Sequence, residues 1–270
     1  MDDIVIIRGG GDIATGVAHR LHRSGFKVLI VEIEKPTVIR RTVSFAQAVF
    51  ENSTEVEGVR AIKASNIEDI YKCWEERSIP IIIDEKLNIL KEIKADILVD
   101  GILAKENLGT SRDLAPITIA LGPGFEAGVD VDVVIETKRG HYLGSLIFEG
   151  FAEPNSGIPG IINGFGKERV IKSPADGVIR HICRIGDLVK KEEIIAYVNE
   201  VPVKATIDGV LRGLIMEELE VWKDLKIADV DPRGIKEYCN SISEKARAVG
   251  GGVLEAILYL KYFSPKILLP

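Results

Sequence analysis

Hydrophobic positions along this chain fall into two regimes. Up to about residue 115, continuous apolar runs alternate with segments of helical period; beyond it, short apolar runs alternate with turn residues. The first regime opens on Ile4-Val-Ile-Ile7, which passes through Arg8 into Gly9, Gly10 and Gly11. A helix-compatible segment over residues 13–24 follows, then a second apolar run over residues 27–32 that ends in Glu32. Residues 59–63 and 95–101 read as further strands, and the continuous apolar run at 79–84 suits a strand buried on both faces of a parallel sheet. Asn66 is placed to cap a helix reaching Arg77, with Ile67, Ile70, Tyr71 and Trp74 on one face. Helix-like runs at about 39–50 and 87–94 complete the alternation.

In the second regime, residues 117–121, 131–136 and 142–148 read as strands joined by the glycine turns 122–128 and 139–141. The turn-rich stretch 152–160 marks a domain boundary. Beyond it lies an internal repeat: Lys172-Ser-Pro-Ala-Asp-Gly-Val-Ile-Arg180 matches Lys204-Ala-Thr-Ile-Asp-Gly-Val-Leu-Arg212 at an offset of 32 residues, and the match persists to Val198 and Val230. Each copy opens with an Asp-Gly turn and is too short to bury its apolar face alone. Two copies closing on each other as a small barrel follow from that. The repeat phrases resemble those of biotinyl/lipoyl carrier domains, yet residues 199–203 between the copies hold no lysine where a carrier needs one. A docking or scaffold role is expected instead. Residues 235–260 read as helical, broken at Gly250-Gly-Gly252.

These signals predict an α/β chain. Residues 1–160 form a Rossmann-like parallel-sheet domain, 165–232 a duplicated β barrel-sandwich of biotinyl/lipoyl type, and 233–270 a C-terminal helical segment. A net charge of −6 argues against a general nucleic-acid binder. The absence of any apolar run of membrane length and the strand-like start, unlike a signal peptide, point to a cytoplasmic protein without membrane partners. Cys73, Cys183 and Cys239 are far apart and read as reduced thiols; with four histidines in the chain, no metal centre is expected.

The candidate chemistry centres on the first glycines. A strand that ends in glycines and hands over to a helix gathers bare amide N–H groups and the positive helix end at one point, which suits an anion. Gly9-x-Gly11-x-x-Ala14 is the alanine-ended form of the dinucleotide fingerprint, and Glu32 lies roughly 20 residues on, where a ribose hydroxyl is gripped. Gly9, Gly10, Gly11, Asp12 and Glu32 are therefore expected to hold NAD or another nucleotide. Arg40 and Arg41 suit a second phosphate, and Gly122 and Gly124 form a further candidate binding turn. Asp100 at a strand's carboxyl end, Lys105 shortly after it, and His141 among nearby carboxylates are the candidate acid/base groups. No Ser-His-Asp order, G-x-S-x-G or Walker loop is present, which leaves hydrolase and P-loop ATPase readings without support.

Five stretches carry a wider resemblance: Gly9 to Arg23, Glu34 to Arg41, Gly122 to Asp130, Ile135 to His141 and Gly250 to Glu255. Together they resemble the YqeB-like accessory family of selenium-dependent molybdenum hydroxylases, over essentially the whole chain. The resemblance implies a role in maturation of such an enzyme or insertion of its molybdenum cofactor. It also implies the hydroxylase or its maturation proteins as partners; homo-oligomerisation is a further expectation. Molybdopterin and its dinucleotide are phosphorylated, so glycine amides and arginines suit them. An acid at Glu32 suits instead the unphosphorylated ribose of NAD. An NAD-dependent oxidoreductase and a non-catalytic nucleotide sensor therefore stand as alternatives.

Overall fold

The computed structural model describes residues 2–155, 157 and 159–263. Residues 156 and 158 of the expected boundary and 264–270 of the expected terminal helical segment lie outside the described residues. The chain divides into two compact units: Met1–Glu34 with Phe45–Asn155 and Ile242–Pro270, and Lys35–Ser44 with Ser156–Ser241.

The first unit contains β1 (Ile4–Arg8), α1 (Asp12–Arg23), β2 (Lys27–Glu32), α2 (Ala48–Glu51), β3 (Ser53–Val56), β4 (Val59–Lys63), α3 (Ile67–Glu75), β5 (Ile79–Ile83), β6 (Ile97–Asp100) and β7 (Ile117–Leu121). It continues through β8 (Glu126–Ala127), β9 (Val133–Ile135), β10 (Leu146–Ile147) and β11 (Gly150–Phe151), and α4 (Glu244–Phe263) returns to it. Nine of these strands form one sheet in the order β10-β9-β7-β6-β1-β2-β5-β4-β3. The inner pairs are parallel and their residues almost wholly buried, as the unbroken apolar runs require. Both ends are antiparallel: β3 on β4, and β10 on β9.

This overturns the expected Rossmann domain: the sheet is mixed and larger, and few of its crossovers are helical. The passage from β5 to β6 uses a four-residue 3-10 turn, Asn88–Lys91, and β6 reaches β7 with no helix. The helix-like run at 39–50 becomes the 3-10 turns Arg41–Val43 and Phe45–Gln47 and the single turn α2. Its amides are claimed elsewhere. Phe45 N donates to Thr15 Oγ1 at 2.8 Å and Ala46 N to the Gly10 carbonyl at 2.9 Å. By contrast α3 begins as its sequence indicates, with Asn66 Oδ1 accepting from Asp69 N at 2.8 Å. Ile70 lies fully buried in the core cluster with Ile6, Leu29 and Leu98, and Trp74 packs against that cluster.

The expected break at 250–252 is absent, because α4 runs unbroken through those glycines. They permit close approach. A Cβ at Gly250 would stand 2.8 Å from the Gly16 carbonyl oxygen on α1, and one at Gly252 only 2.2 Å from that of Gly144. Packing on α1 at Gly250, and on the turn at Gly144 for Gly252, offsets the roughly 1 kcal/mol propensity cost of those two glycines.

The second unit contains β12 (Val170–Lys172), β13 (Gly177–His181), β14 (Leu188–Val189), β15 (Ile194–Val198), β16 (Val201–Lys204), β17 (Gly209–Leu214), β18 (Glu220–Val221) and β19 (Lys226–Asp231). They form two four-stranded antiparallel sheets, β12-β19-β17-β14 and β16-β15-β13-β18. The sequence repeat relates β13 to β17 and β15 to β19, and each sheet takes strands from both copies. The expected closed barrel of biotinyl/lipoyl type is thereby corrected: both sheets are open, with β12, β14, β16 and β18 as edges. The repeat dictates which segments become strands; the hydrogen-bonded order is decided between residues far apart in sequence. Residues 35–44 join this unit by lying along β17, where Leu214 N donates to the Ile39 carbonyl at 2.8 Å. Among the described residues no helix is long and apolar enough to cross a membrane.

Candidate functional site

The parallel strands of the first unit end along one edge, and the chain leaves β1 towards β2 on one side while β6 lies on the other. Such a reversal point is where open α/β sheets place ligands. Gly9, at φ +96°, and Gly101 meet there. A Cβ on Gly9 would sit 3.2 Å from the Gly101 carbonyl carbon, and a Cβ on Gly101 would sit 2.9 Å from the Ala14 Cβ. These glycines are required by the close approach of two strand ends and the first turn of α1.

Glu32 defines the electrostatics of this edge. Its Oε2 accepts from Gly10 N at 2.7 Å and its Oε1 from Ile33 N at 2.9 Å. Burial pushes its carboxyl above the usual range, and the two backbone N–H groups pull the other way without overcoming it. Gly11 forms the N-cap of α1 in an extended conformation without a side-chain hydrogen bond, and Asp12 in the first turn complements the positive helix end. The expected anion site therefore already presents one amide to a carboxylate oxygen of the chain itself. Glu32→Ala strands both N–H donors and is expected to lower the unfolding free energy by about 1–3 kcal/mol. Glu32→Gln removes the titration alone. Since folding raises the Glu32 pKa, wild type should stand best against this variant below the ordinary carboxylate range, and lose ground as pH rises through the raised value. Denaturant unfolding at several pH values checks both; a difference independent of pH would contradict the burial account.

Asp100 is 2 % exposed, and its carboxylate is fully engaged. Thr110 Oγ1 donates to Oδ2 at 2.6 Å, Ile102 N donates to Oδ1 at 3.2 Å, and Arg8 Nη1 lies 3.5 Å from Oδ2. Arg8 also donates to the Leu108 carbonyl at 2.9 Å and to Thr110 Oγ1 at 3.2 Å. This buried cluster ties the loop after β6 to the end of β1. Thr110 carried no sequence signal beyond its place after Asn107, whose Oδ1 accepts from Gly109 N and Thr110 N.

Lys105 is exposed at φ +71° in the same loop. Its backbone lies against the second glycine turn, because a Cβ on Gly124 would stand 2.6 Å from the Lys105 carbonyl carbon and 2.5 Å from Glu106 N. Gly122, at φ +76°, faces Thr137 at similarly short range. Gly124 thus serves close backbone packing, and Gly122 makes room for the Thr137 side chain. His141 sits on an exposed turn with its ring edge-on to Tyr142, at 5.0 Å between centroids. The carboxylates near it in sequence are engaged in local structure. Glu136 accepts from Lys138 N and Glu153 N, and Asp132 accepts from Arg112, Thr118 N and Thr118 Oγ1. Arg139 pairs with Glu244.

Arg40 and Arg41 belong to the second unit. Arg40 Nη2 donates to the Tyr238 and Ser241 carbonyls at 3.1 and 3.3 Å, and Arg41 Nε to the Leu214 carbonyl at 2.7 Å. Nearby, Asp231 is fully buried between Arg212 and Arg233, a network that sequence spacing did not reveal. The three cysteines are free and buried, and burial pushes their thiols up. No cluster of three or more metal-ligating side chains is found among the described residues.

No protein-family model matches the chain. It is 51 % identical over 259 residues to the uncharacterized protein YqeB of Escherichia coli K12, covering 96 % of this chain and 48 % of that protein. The chain thus spans about half the length of the curated relative it matches, and the identity supports a YqeB-like family. Solved structures with some likeness include the apo ectoine utilization protein EutE of Ruegeria pomeroyi, at 11 % identity, TM-score 0.25 and coverage of 85 % of this chain and 86 % of that one. An aspartoacylase family protein of Mesorhizobium loti gives 11 % identity, TM-score 0.25 and coverage of 85 % and 84 %. Likeness at that TM-score carries no reading of fold or activity.

Proposed function

We propose that this chain, YqeB-like over the half of that protein it matches, is an accessory protein for a selenium-dependent molybdenum hydroxylase. In this reading the turn between β1 and α1 holds a phosphorylated, molybdopterin-type cofactor. The observation that carries it is the Glu32 carboxylate on the Gly10 amide, beside a helix N-terminus whose N-cap residue, Gly11, has no side chain of its own to cap it. A turn that accepts one carboxylate oxygen offers the same donors to a phosphate oxygen. The raised Glu32 pKa lowers the cost of neutralising that side chain when a ligand anion replaces it. The residues present fit the group: backbone N–H donors and the α1 terminus for phosphate, and Glu32 as an acceptor for ligand N–H or O–H groups. Asp100, Arg8 and Thr110 hold the adjoining loop in place.

Glu32 also favours a second reading, since a carboxylate after β2 is placed to accept from a ribose diol of NAD. Calorimetric titration of the purified chain with CMP, CDP, CTP, NAD and NADP separates the two. Selectivity for cytidine nucleotides, altered about tenfold or more by Glu32→Gln, is the expected result. Selective NAD binding lost in the same variant would transfer the site to redox chemistry or sensing. No binding by any of the five, or binding unaffected by Glu32→Gln, would sink the proposal.

A further inference from the structure

Within the first unit, α1 and α4 border a cavity of about 240 Å³, lined by His19, Arg20, Arg23 and Arg247 together with Gly16, Ser24 and Ile242. Three guanidinium groups and an imidazole on so small a cavity are an unusual concentration of donors in a chain of net charge −6. One of the three is already balanced. Arg247 Nη2 donates to both Glu57 carboxylate oxygens at 2.6 and 2.8 Å, and Glu57 Oε1 also accepts from Ile242 N at 2.8 Å. Arg20 Nη2 reaches only the Arg247 carbonyl, at 3.4 Å. Among the described residues neither Arg20 nor Arg23 forms an ion pair with a carboxylate.

Basic residues in the last turn of a helix complement its negative end, which accounts for Arg20 and Arg23 being on α1. That does not account for Arg247, brought from the first turns of α4 onto the same cavity. His19 is 5 % exposed, with its Nε2 3.4 Å from the Glu57 carbonyl. Burial holds its pKa below the usual value; Glu57 opposes this, and Arg23 and Arg247 reinforce it. A positive imbalance of this kind, two guanidiniums without a carboxylate partner bordering a cavity with ample room for a phosphate, suits an incoming dianion.

We propose that this cavity binds a phosphate dianion, free or esterified to an apolar group. The ester alternative follows from Arg20, which also lines a second cavity of about 380 Å³ with Leu254, Leu258, Tyr259 and Phe263. A phosphate gripped by Arg20 and Arg23 therefore has an apolar exit for its organic substituent. Glu255 lines that exit too, which disfavours a second anionic group there. The site is independent of the β1–α1 turn, so it stands or falls apart from the cofactor reading above.

The test is titration of the full chain at low ionic strength with inorganic phosphate and with phenyl phosphate, followed by calorimetry and by the His19 ring signals in NMR. Saturable binding is expected, weakened roughly tenfold or more in Arg23→Ala, an exposed position whose loss leaves packing intact. The His19 pKa should rise on binding, because a nearby dianion favours the imidazolium. Tighter binding of phenyl phosphate assigns an ester as ligand, and equal affinities assign the free ion; both support the site. Arg20→Gln should weaken binding as Arg23→Ala does, and Glu32→Gln should leave it unchanged. Absence of saturable binding by either probe, or affinity untouched in both arginine variants, would overturn the proposal.

Discussion

Asp231→Ala should destabilise this protein by about 3–5 kcal/mol, read as a drop in the midpoint of denaturant unfolding. Asp231 is fully buried at the end of β19. Arg233 reaches it three times, through Nη2 at 2.6 Å, Nε at 2.9 Å and its backbone N at 3.1 Å, while Arg212 Nη1 lies 3.4 Å away. Arg212 is itself buried, and burial followed by the neighbouring Arg40 pushes its pKa down, against the pull of Asp229 and Asp231. Deleting the Asp231 carboxylate leaves the buried Arg212 beside Arg40 and the partly exposed Arg233 without this counter-charge, and the uncompensated buried charge is what costs most. Asp231→Asn keeps the shape and some hydrogen bonds, so it should fall between wild type and alanine.

The same residue gives a pH dependence of definite sign. Burial alone would raise the Asp231 pKa, but the Arg233 hydrogen bonds and the charges of Arg233 and Arg212 hold it below the usual carboxylate range. Its stabilisation is therefore present above the ordinary carboxylate pKa and is lost as pH falls through the depressed folded value. Asp231→Asn should flatten that acid limb. An alanine variant within about 0.5 kcal/mol of wild type would mean the network contributes little to stability.

Gly250→Val should destabilise by roughly 3 kcal/mol or more, and Gly250→Ala by about 1–3 kcal/mol. Alanine is by itself the better helix former by close to 1 kcal/mol, so a loss on this substitution isolates packing from propensity. The new Cβ would stand 2.8 Å from the Gly16 carbonyl oxygen and 3.2 Å from its carbonyl carbon, both backbone atoms that cannot swing aside. Gly16 is constrained reciprocally, since its own Cβ would lie 2.7 Å from the Ala246 Cβ. The two helices must separate to admit either group, so Gly16→Ala combined with Gly250→Ala should cost less than the sum of the single changes. Gly251 supplies the control. No atom lies within 4 Å of a Cβ built there, and Gly251→Ala should stabilise by about 0.5–1 kcal/mol. Thermal or denaturant unfolding of these five variants decides the matter: equal effects at 250 and 251 would refute the close-packing account.

Several local features were legible from residues a few positions apart. The apolar run into Gly9 and on into α1, the Asn66 cap of α3, and the glycine turns after β7 and β9 all depend on backbone conformation and near-neighbour hydrogen bonds. The candidate site was legible only as a list of residues. Glu32 was marked by its distance from the glycines, yet nothing local said that its carboxylate would rest on Gly10 N. Asp100 was marked by its place at a strand end, while the partners that engage it, Arg8 and Thr110, come from another strand and from the loop beyond. His141, chosen for its acidic surroundings in sequence, has two of those acids, Glu136 and Asp132, drawn into separate bonds.

The sequence by itself determined the identity of most elements, because strand and helix periods are written in adjacent side chains and glycine permits backbone geometries that other residues resist. Only the tertiary structure decided the mixed order of the nine-stranded sheet, the open pair of sheets built from both repeat copies, and the course of α4 through three glycines. It also decided that residues 45 and 46 would give their amides to Thr15 and Gly10 instead of continuing a helix. Each of these outcomes rests on a contact between residues tens to hundreds of positions apart. Its free energy exists only once the chain has brought them together, so no short window of sequence contains it.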